Sequence, residues 1–367
     1  MGMTTTQQTI PDPAALEAFT GHVAGQATAA VNAALVVLGD RLGIWKTLAG
    51  AGPLTLATLA ERAGIAQPYL REWAGAQVAN GYLAYDPVSE TYELTVEAAA
   101  VLADEDSPSL FIGAFQLLPA MYAMLPALGD AFRTGDGVAW ADRDPGMFDA
   151  EERFSRPFHN NLLTDVWLAA VPDLLDTLAA GATVADVGCG YGTSTIALAR
   201  RFPQSRFVGF DFHDHSIARA RDAARRAGVA DRVSFEVADA RSFPGDGYDL
   251  VLFCDSLHDM GDPVAAARHA HDVLAPGGRL VTLDPKAGGD SLAENLTDPF
   301  AATFYPVSTF ICTPAALAQD GPMALGALAG ERALRQVLVD GGFTDVERVA
   351  HDAPLNMVLV ATNYGGE

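Results

Sequence analysis

Three glycines at alternate positions, Gly188, Gly190 and Gly192, follow the apolar run Val184-Ala185-Asp186-Val187 and open directly into the helix-forming residues 193–200. A short apolar run bounded by glycine reads as a buried strand. Glycine takes φ > 0 without a Cβ clash and lets the backbone come close to a ligand. The start of the following helix offers unpaired N–H groups. Strand, glycine turn and helix together point to an α/β fold with a parallel sheet and a nucleotide-type cofactor at this turn. The spacing narrows the cofactor. A dinucleotide fingerprint reads G-x-G-x-x-G/A. This run reads D-x-G-x-G-x-G, with the third glycine one position early and Thr193 where the final glycine would stand.

Strand and helix patterns alternate from residue 183 onward. Strands are predicted at residues 183–187, 206–210, 232–237, 248–254, 278–284, 343–350 and 356–362. Open α/β sheets bind ligands at the carboxyl ends of their strands, so the residues there are candidates. Asp211 ends the second strand, 19 positions after Gly192. That is the spacing of an acidic residue that holds a ribose diol. Asp239 and Ala240 end the third strand, and Cys254 ends the fourth, ahead of Leu257-His258-Asp259-Met260. Residues 285–325 are rich in Pro, Phe and Tyr and are expected to form a lid, because so long a connection is usually functional.

The N-terminal part reads differently. Residues 1–13 are polar and expected to fray. Residues 13–49 are helical and apolar all round, which marks a helix buried in a core or against another subunit. Helices over 54–63 and 67–80, a turn at 64–66, and strands over 82–85 and 91–94 make a winged helix-turn-helix. Between residues 51 and 105 there are only two basic side chains, Arg62 and Arg71, against eight acidic ones. A phosphate backbone needs several Lys or Arg contacts, so DNA is not the expected partner. Residues 107–180 read as helices, notably 111–124 and 154–179, around a loop over 133–148. The division is therefore 1–105, a helical linker over 106–180, and a cofactor domain over 181–367.

The whole chain of 367 residues has a formal net charge of −23, which repels nucleic acid and anionic membranes. Its three cysteines are too few for a disulfide framework and fit a reducing cytoplasm. Neither a signal peptide nor a transmembrane helix is expected.

On the glycine run, Asp211, Asp239, the segment around His258 and Leu274-Ala275-Pro276-Gly277-Gly278, the chain resembles the class I S-adenosylmethionine (SAM) methyltransferases. With its winged-helix N-terminus it is similar to small-molecule O-methyltransferases that dimerise through that domain. The resemblance implies a Rossmann-like seven-stranded sheet, SAM as cofactor, a small-molecule acceptor and a homodimer. It implies that Asp186 and the glycine turn hold the amino acid end of SAM and that Asp211 takes the ribose. Phe212, Asp239 and Ala240 would meet the adenine, with Cys254 nearby. His258 would be the general base, although Met260 stands where the family has Trp. Glu294 is one guess for its carboxylate partner, with Asp259 a helix N-terminal charge. The acceptor pocket is expected from Met121, Tyr122, Phe158, His159, Phe304 and Tyr305. No metal site is expected, because no acidic cluster shows ligand spacing. Methylation at nitrogen or carbon, or a SAM-binding winged-helix regulator, are the alternatives.

Overall fold

The structure, a computed structural model, describes residues 11–321, 323–353 and 355–365. Most of the stretch expected to fray, residues 1–10, lies outside them. The chain divides into two compact units, Met1–Phe115 and Gln116–Glu367. Residues 116–180, expected as a separate linker, fall within the second.

In the first unit the opening helix Pro13–Arg41 is capped by the Asp12 carboxylate. It stops short of the expected residue 49, because Gly43 turns the chain at φ 69° into a second helix, Ile44–Leu48. Only its C-terminal part is buried. There Trp45 and Trp73 donate their indole N–H groups to Val36 and Leu35 carbonyls (3.0 and 2.9 Å). Gly39 is required at that contact, since a Cβ would lie 2.6 Å from the Trp73 ring. Strand β1 (Leu54–Thr55) precedes the helix Leu56–Ala63, which Thr55 caps, so that helix starts two residues later than expected. The helix Gln67–Ala79 is followed by β2 (Ala84–Asp86) and β3 (Thr91–Glu93), in sheet order β1-β3-β2. β2 starts late because the N–H groups of Tyr82 and Leu83 both go to the Gln77 carbonyl and finish the helix. The winged helix-turn-helix is thus present.

In the second unit, residues 133–148 are not all loop. A short turn of helix covers Trp140–Asp142, and the helix Pro145–Asn161 starts behind an Asp144 cap. The expected single helix over 154–179 breaks into a wide turn at Leu163–Trp167 and a tight one at Leu168–Ala170 before Leu174–Ala180. The seven strands are β4 (Thr183–Val187), β5 (Arg206–Asp211), β6 (Val233–Val237), β7 (Tyr248–Cys254), β8 (Leu274–Pro285), β9 (Val346–Val349) and β10 (Asn356–Thr362). Their order is β6-β5-β4-β7-β8-β10-β9, with β10 antiparallel to both neighbours. β8 begins four residues earlier than read, and β9 is shorter than 343–350 because the Phe343 N–H closes the preceding helix on the Leu338 carbonyl.

The strands alternate between two cores, which is what covering both faces requires. Leu250, Leu252 and Cys254 of β7 enter one, Val251 and Phe253 the other. Each such fully buried side chain contributes about 1.5–3 kcal/mol. Strand order reverses between β4 and β7, so the connections leaving their carboxyl ends part in opposite directions and leave a crevice. The lid segment is helical, with Leu292–Asn295, Ala301–Phe310 and Cys312–Leu317.

Candidate functional site

A cavity of about 470 Å³ opens at this crevice, wholly inside the second unit. The glycine turn forms one wall. Each of its glycines has positive φ (74°, 53° and 76°). A Cβ on Gly188 would lie 2.5 Å from Ser256, and one on Gly192 2.4 Å from the Phe235 ring. Those two serve packing. At Gly190 a Cβ would meet nothing within 4 Å, and the residue lines the cavity, so the missing side chain leaves room for a ligand.

Asp211, at the end of β5, also lines the cavity. Its Oδ2 accepts the Gly190 N–H (2.9 Å) and its Oδ1 the His213 N–H (2.8 Å). Burial raises its pKa, and those two bonds offset part of the rise. Phe212 is half-exposed on the same wall, followed by Asp239 and Ala240. The sequence reading missed Arg241, which clasps Asp239 through Nε and Nη2 (2.9 and 2.6 Å).

Asp186 departs from expectation. It is fully buried beneath the turn and off the cavity wall, and its Oδ2 accepts both the Ser194 and Thr195 hydroxyls at 2.6 Å. It ties β4 to the helix Thr193–Arg201. Gly192 is likewise behind the wall.

His258 is also off the wall. Its Nδ1 lies 2.8 Å from Asp284 Oδ1 and its Nε2 3.2 Å from Asp259 Oδ1. Burial works against its charge, but Asp259, Asp284 and Cys312 outweigh burial and hold the imidazole well above the usual histidine pKa. Its Nδ1 is paired with Asp284, whereas Asp259 Oδ1, though close, takes part in no hydrogen bond. The carboxylate that orients it is Asp284, itself bonded by Thr282. Glu294 instead completes a capping box with Ser291 in the lid.

Of the expected acceptor contacts, only His159 lines the cavity. Met121 is core, Phe158 and Phe304 pack against core clusters, Tyr122 is exposed, and Tyr305 meets Asn295 through its hydroxyl. In their place stand residues of the helix Pro145–Asn161, which sequence reading gave partly to a loop: Phe148, Glu151, Glu152 and Ser155. Loss of water pushes the Glu151 carboxyl up to about 7, with Asp259 adding to the rise. The same cause pushes Asp255 up to about 7 and pulls His159 down to about 4, so that imidazole is neutral.

Among the described residues, two groups of metal-ligand type come together, each joining an adjacent pair to one residue distant in sequence: His159 with Cys254 and Asp255, and Cys312 with His258 and Asp259. In the first, His159 Nε2 lies 3.2 Å from Cys254 Sγ.

Residues 178–321 match the model of a methyltransferase domain, and residues 29–104 that of an Rv2258c-like winged HTH domain. The chain is 39% identical over 147 residues to 27-O-demethylrifamycin SV methyltransferase of Amycolatopsis mediterranei, covering 40% of this chain and 48% of that protein. It is 30% identical over 179 residues to the ubiquinone/menaquinone biosynthesis C-methyltransferase UbiE of Ectopseudomonas mendocina, covering 47% and 67%. The chain thus spans about half the length of the former and two thirds of the latter. The fold matches that of human N-acetylserotonin methyltransferase in complex with SAM, with TM-score 0.63, 18% identity and 99% of each chain covered.

Proposed function

This chain belongs to the class I SAM-dependent methyltransferases, with a winged-helix domain at its N-terminal side, and we propose that it methylates a hydroxyl of a small molecule. The observation that carries this reading is one cavity lined by both the open glycine turn and Glu151, a carboxyl with pKa about 7.

The residues fit the cofactor. Gly190 leaves the space, Asp211 offers a carboxylate to a diol, and Phe212 offers an exposed ring face. Asp239, its charge balanced by Arg241, suits an uncharged adenine better than a lone carboxylate would. When bound, SAM supplies a methyl group already activated on a sulfonium.

A hydroxyl acceptor must be held near attack distance and must give up a proton. His258 lies off the cavity wall with its Nδ1 held by Asp284, so we assign the proton-accepting role to Glu151, half-ionised near neutrality and on the cavity wall. The C-methyltransferase relative favours carbon as a second acceptor, with the same base taking the proton. The test is incubation with SAM and a metabolite extract. A product heavier by one methyl group supports the reading, and its NMR spectrum separates oxygen from carbon. SAM that stays intact with every extract overturns it.

We further propose a homodimer. Leu16, Phe19, Val23 and Val31 of the helix Pro13–Arg41 are exposed. By length and composition this helix could also cross a membrane, contrary to the sequence reading. A second copy covering it fits the family layout better. The described cysteines are buried and free, which supports a cytoplasmic setting. No nucleic-acid role is proposed, since the helix Gln67–Ala79 carries one cation, Arg71, paired with Glu72 at 3.1 Å.

A further inference from the structure

We propose that His159 Nε2, Cys254 Sγ and a carboxylate oxygen of Asp255 bind a divalent cation of the zinc class on the cavity wall. The three ligand atoms lie within 4.8 Å of one another. Metal–ligand distances of about 2.0–2.3 Å in a tetrahedral site separate ligands by about 3.5 Å. The Nε2–Sγ pair, at 3.2 Å, is already near that spacing. Closing the rest needs side-chain movement of about 1 Å, within reach of rotamer adjustment.

Three features of the group suit it to a cation. The His159 ring is buried, and its Nε2, the nitrogen turned toward the group, meets only a sulfur. A thiol contact is a weak anchor for a buried imidazole. Asp255 adopts φ 52°, left-handed for a residue that is not glycine. Asn356 Nδ2 donates to its Oδ1 at 2.6 Å, the kind of outer bond that aims a ligating carboxylate. Thiolate, imidazole and carboxylate together select borderline-soft ions over magnesium or calcium. Three protein ligands leave the fourth position open to the cavity, the pattern of a reactive rather than a structural site. Binding breaks the Cys254 S–H bond and forms an S–metal bond, and the thiol proton, with any proton carried by the Asp255 carboxyl, leaves to solvent.

The group around His258 is the competing location. Its His258 and Cys312 lie off the cavity wall, and His258 Nδ1 is already taken by Asp284 at 2.8 Å, so this group lacks the fourth position open to the cavity that the first one has. A role for the ion in holding the acceptor oxygen rests on the methyl-transfer reading. The site itself does not.

The full chain, stripped with chelator, is titrated with Co²⁺ and followed by near-ultraviolet absorption. A thiolate-to-cobalt charge-transfer band saturating at one equivalent is expected. It should vanish in Cys254→Ser, weaken about 10–100-fold in affinity in Asp255→Asn, and persist in Cys312→Ser. SAM titration of the same samples by calorimetry reports folding and cofactor binding separately. SAM binding without a cobalt band in the wild type overturns the metal site and leaves methyl transfer standing. Cobalt binding without SAM binding does the reverse. A band lost in Cys312→Ser and kept in Cys254→Ser moves the metal to the His258 group and overturns the proposal.

Discussion

Asp211 carries two demands at one carboxylate. It fixes the glycine turn through Gly190, and it faces the cavity where the cofactor ribose is proposed. Asp211→Asn keeps the shape but loses the charge and puts an amide donor against one of those N–H groups. SAM affinity measured by calorimetry should fall about 10–100-fold, the worth of charged hydrogen bonds. Unchanged affinity removes the ribose assignment. Glu151 sets a pH dependence. Its carboxyl must be ionised to take a proton, and its pKa is raised to about 7. The rate should therefore rise with pH through about 7, and Glu151→Gln should abolish that limb while lowering kcat by about 10²–10⁴. A variant with the wild-type profile refutes the role. At this scale the legible part of the site was the part local in sequence. Gly190, Asp211 and Asp239 announce themselves by spacing from one turn. Glu151 and the His159–Cys254 contact do not, because a gap of 95 residues closes only when a helix packs over the sheet. His258 was found by motif, but no motif shows that Asp284 holds it.

At the scale of elements, the glycine turn separates ligand space from packing. Gly190→Ala puts a methyl into open cavity, so SAM binding should weaken while the melting temperature falls only by the strain of a left-handed alanine, about 1 kcal/mol. Gly192→Ala drives a methyl into the Phe235 ring at positive φ, and should cost about 1–3 kcal/mol more. Thermal melts with and without SAM check the pair, and equal losses of stability would mean the two glycines do the same job. The strands were readable because both faces are buried, and burial writes apolar residues at Val184, Ala185 and Val187 and at every position from Leu250 to Phe253. The helical breaks after Asn161 were not. Leu163 and Trp167 fit an amphipathic helix as well as the wide turn they form, and tertiary packing decides between them. The lid read as loop for a similar reason. Its Pro306 and Pro314 suggest breaks, yet both sit within helices.

For the whole molecule, the opening helix poses the question of what covers it. Phe19→Asp together with Val31→Asp should convert a dimer to a monomer by light scattering, with SAM affinity retained in the other unit. A wild type that is already monomeric at micromolar concentration overturns the dimer. The sequence reading drew boundaries near residues 105 and 180, whereas the compact units meet once, at Phe115, because the helices over 116–180 pack with the sheet that follows them. The hydrogen bond from Asn356 to Asp255 spans 101 residues of chain. A ribosome adding about 5–20 residues per second delivers Asp255 roughly 5–20 s before the strand that aims it. The Asp255 side of the nascent cavity therefore stays unclamped until β10 slots between β8 and β9.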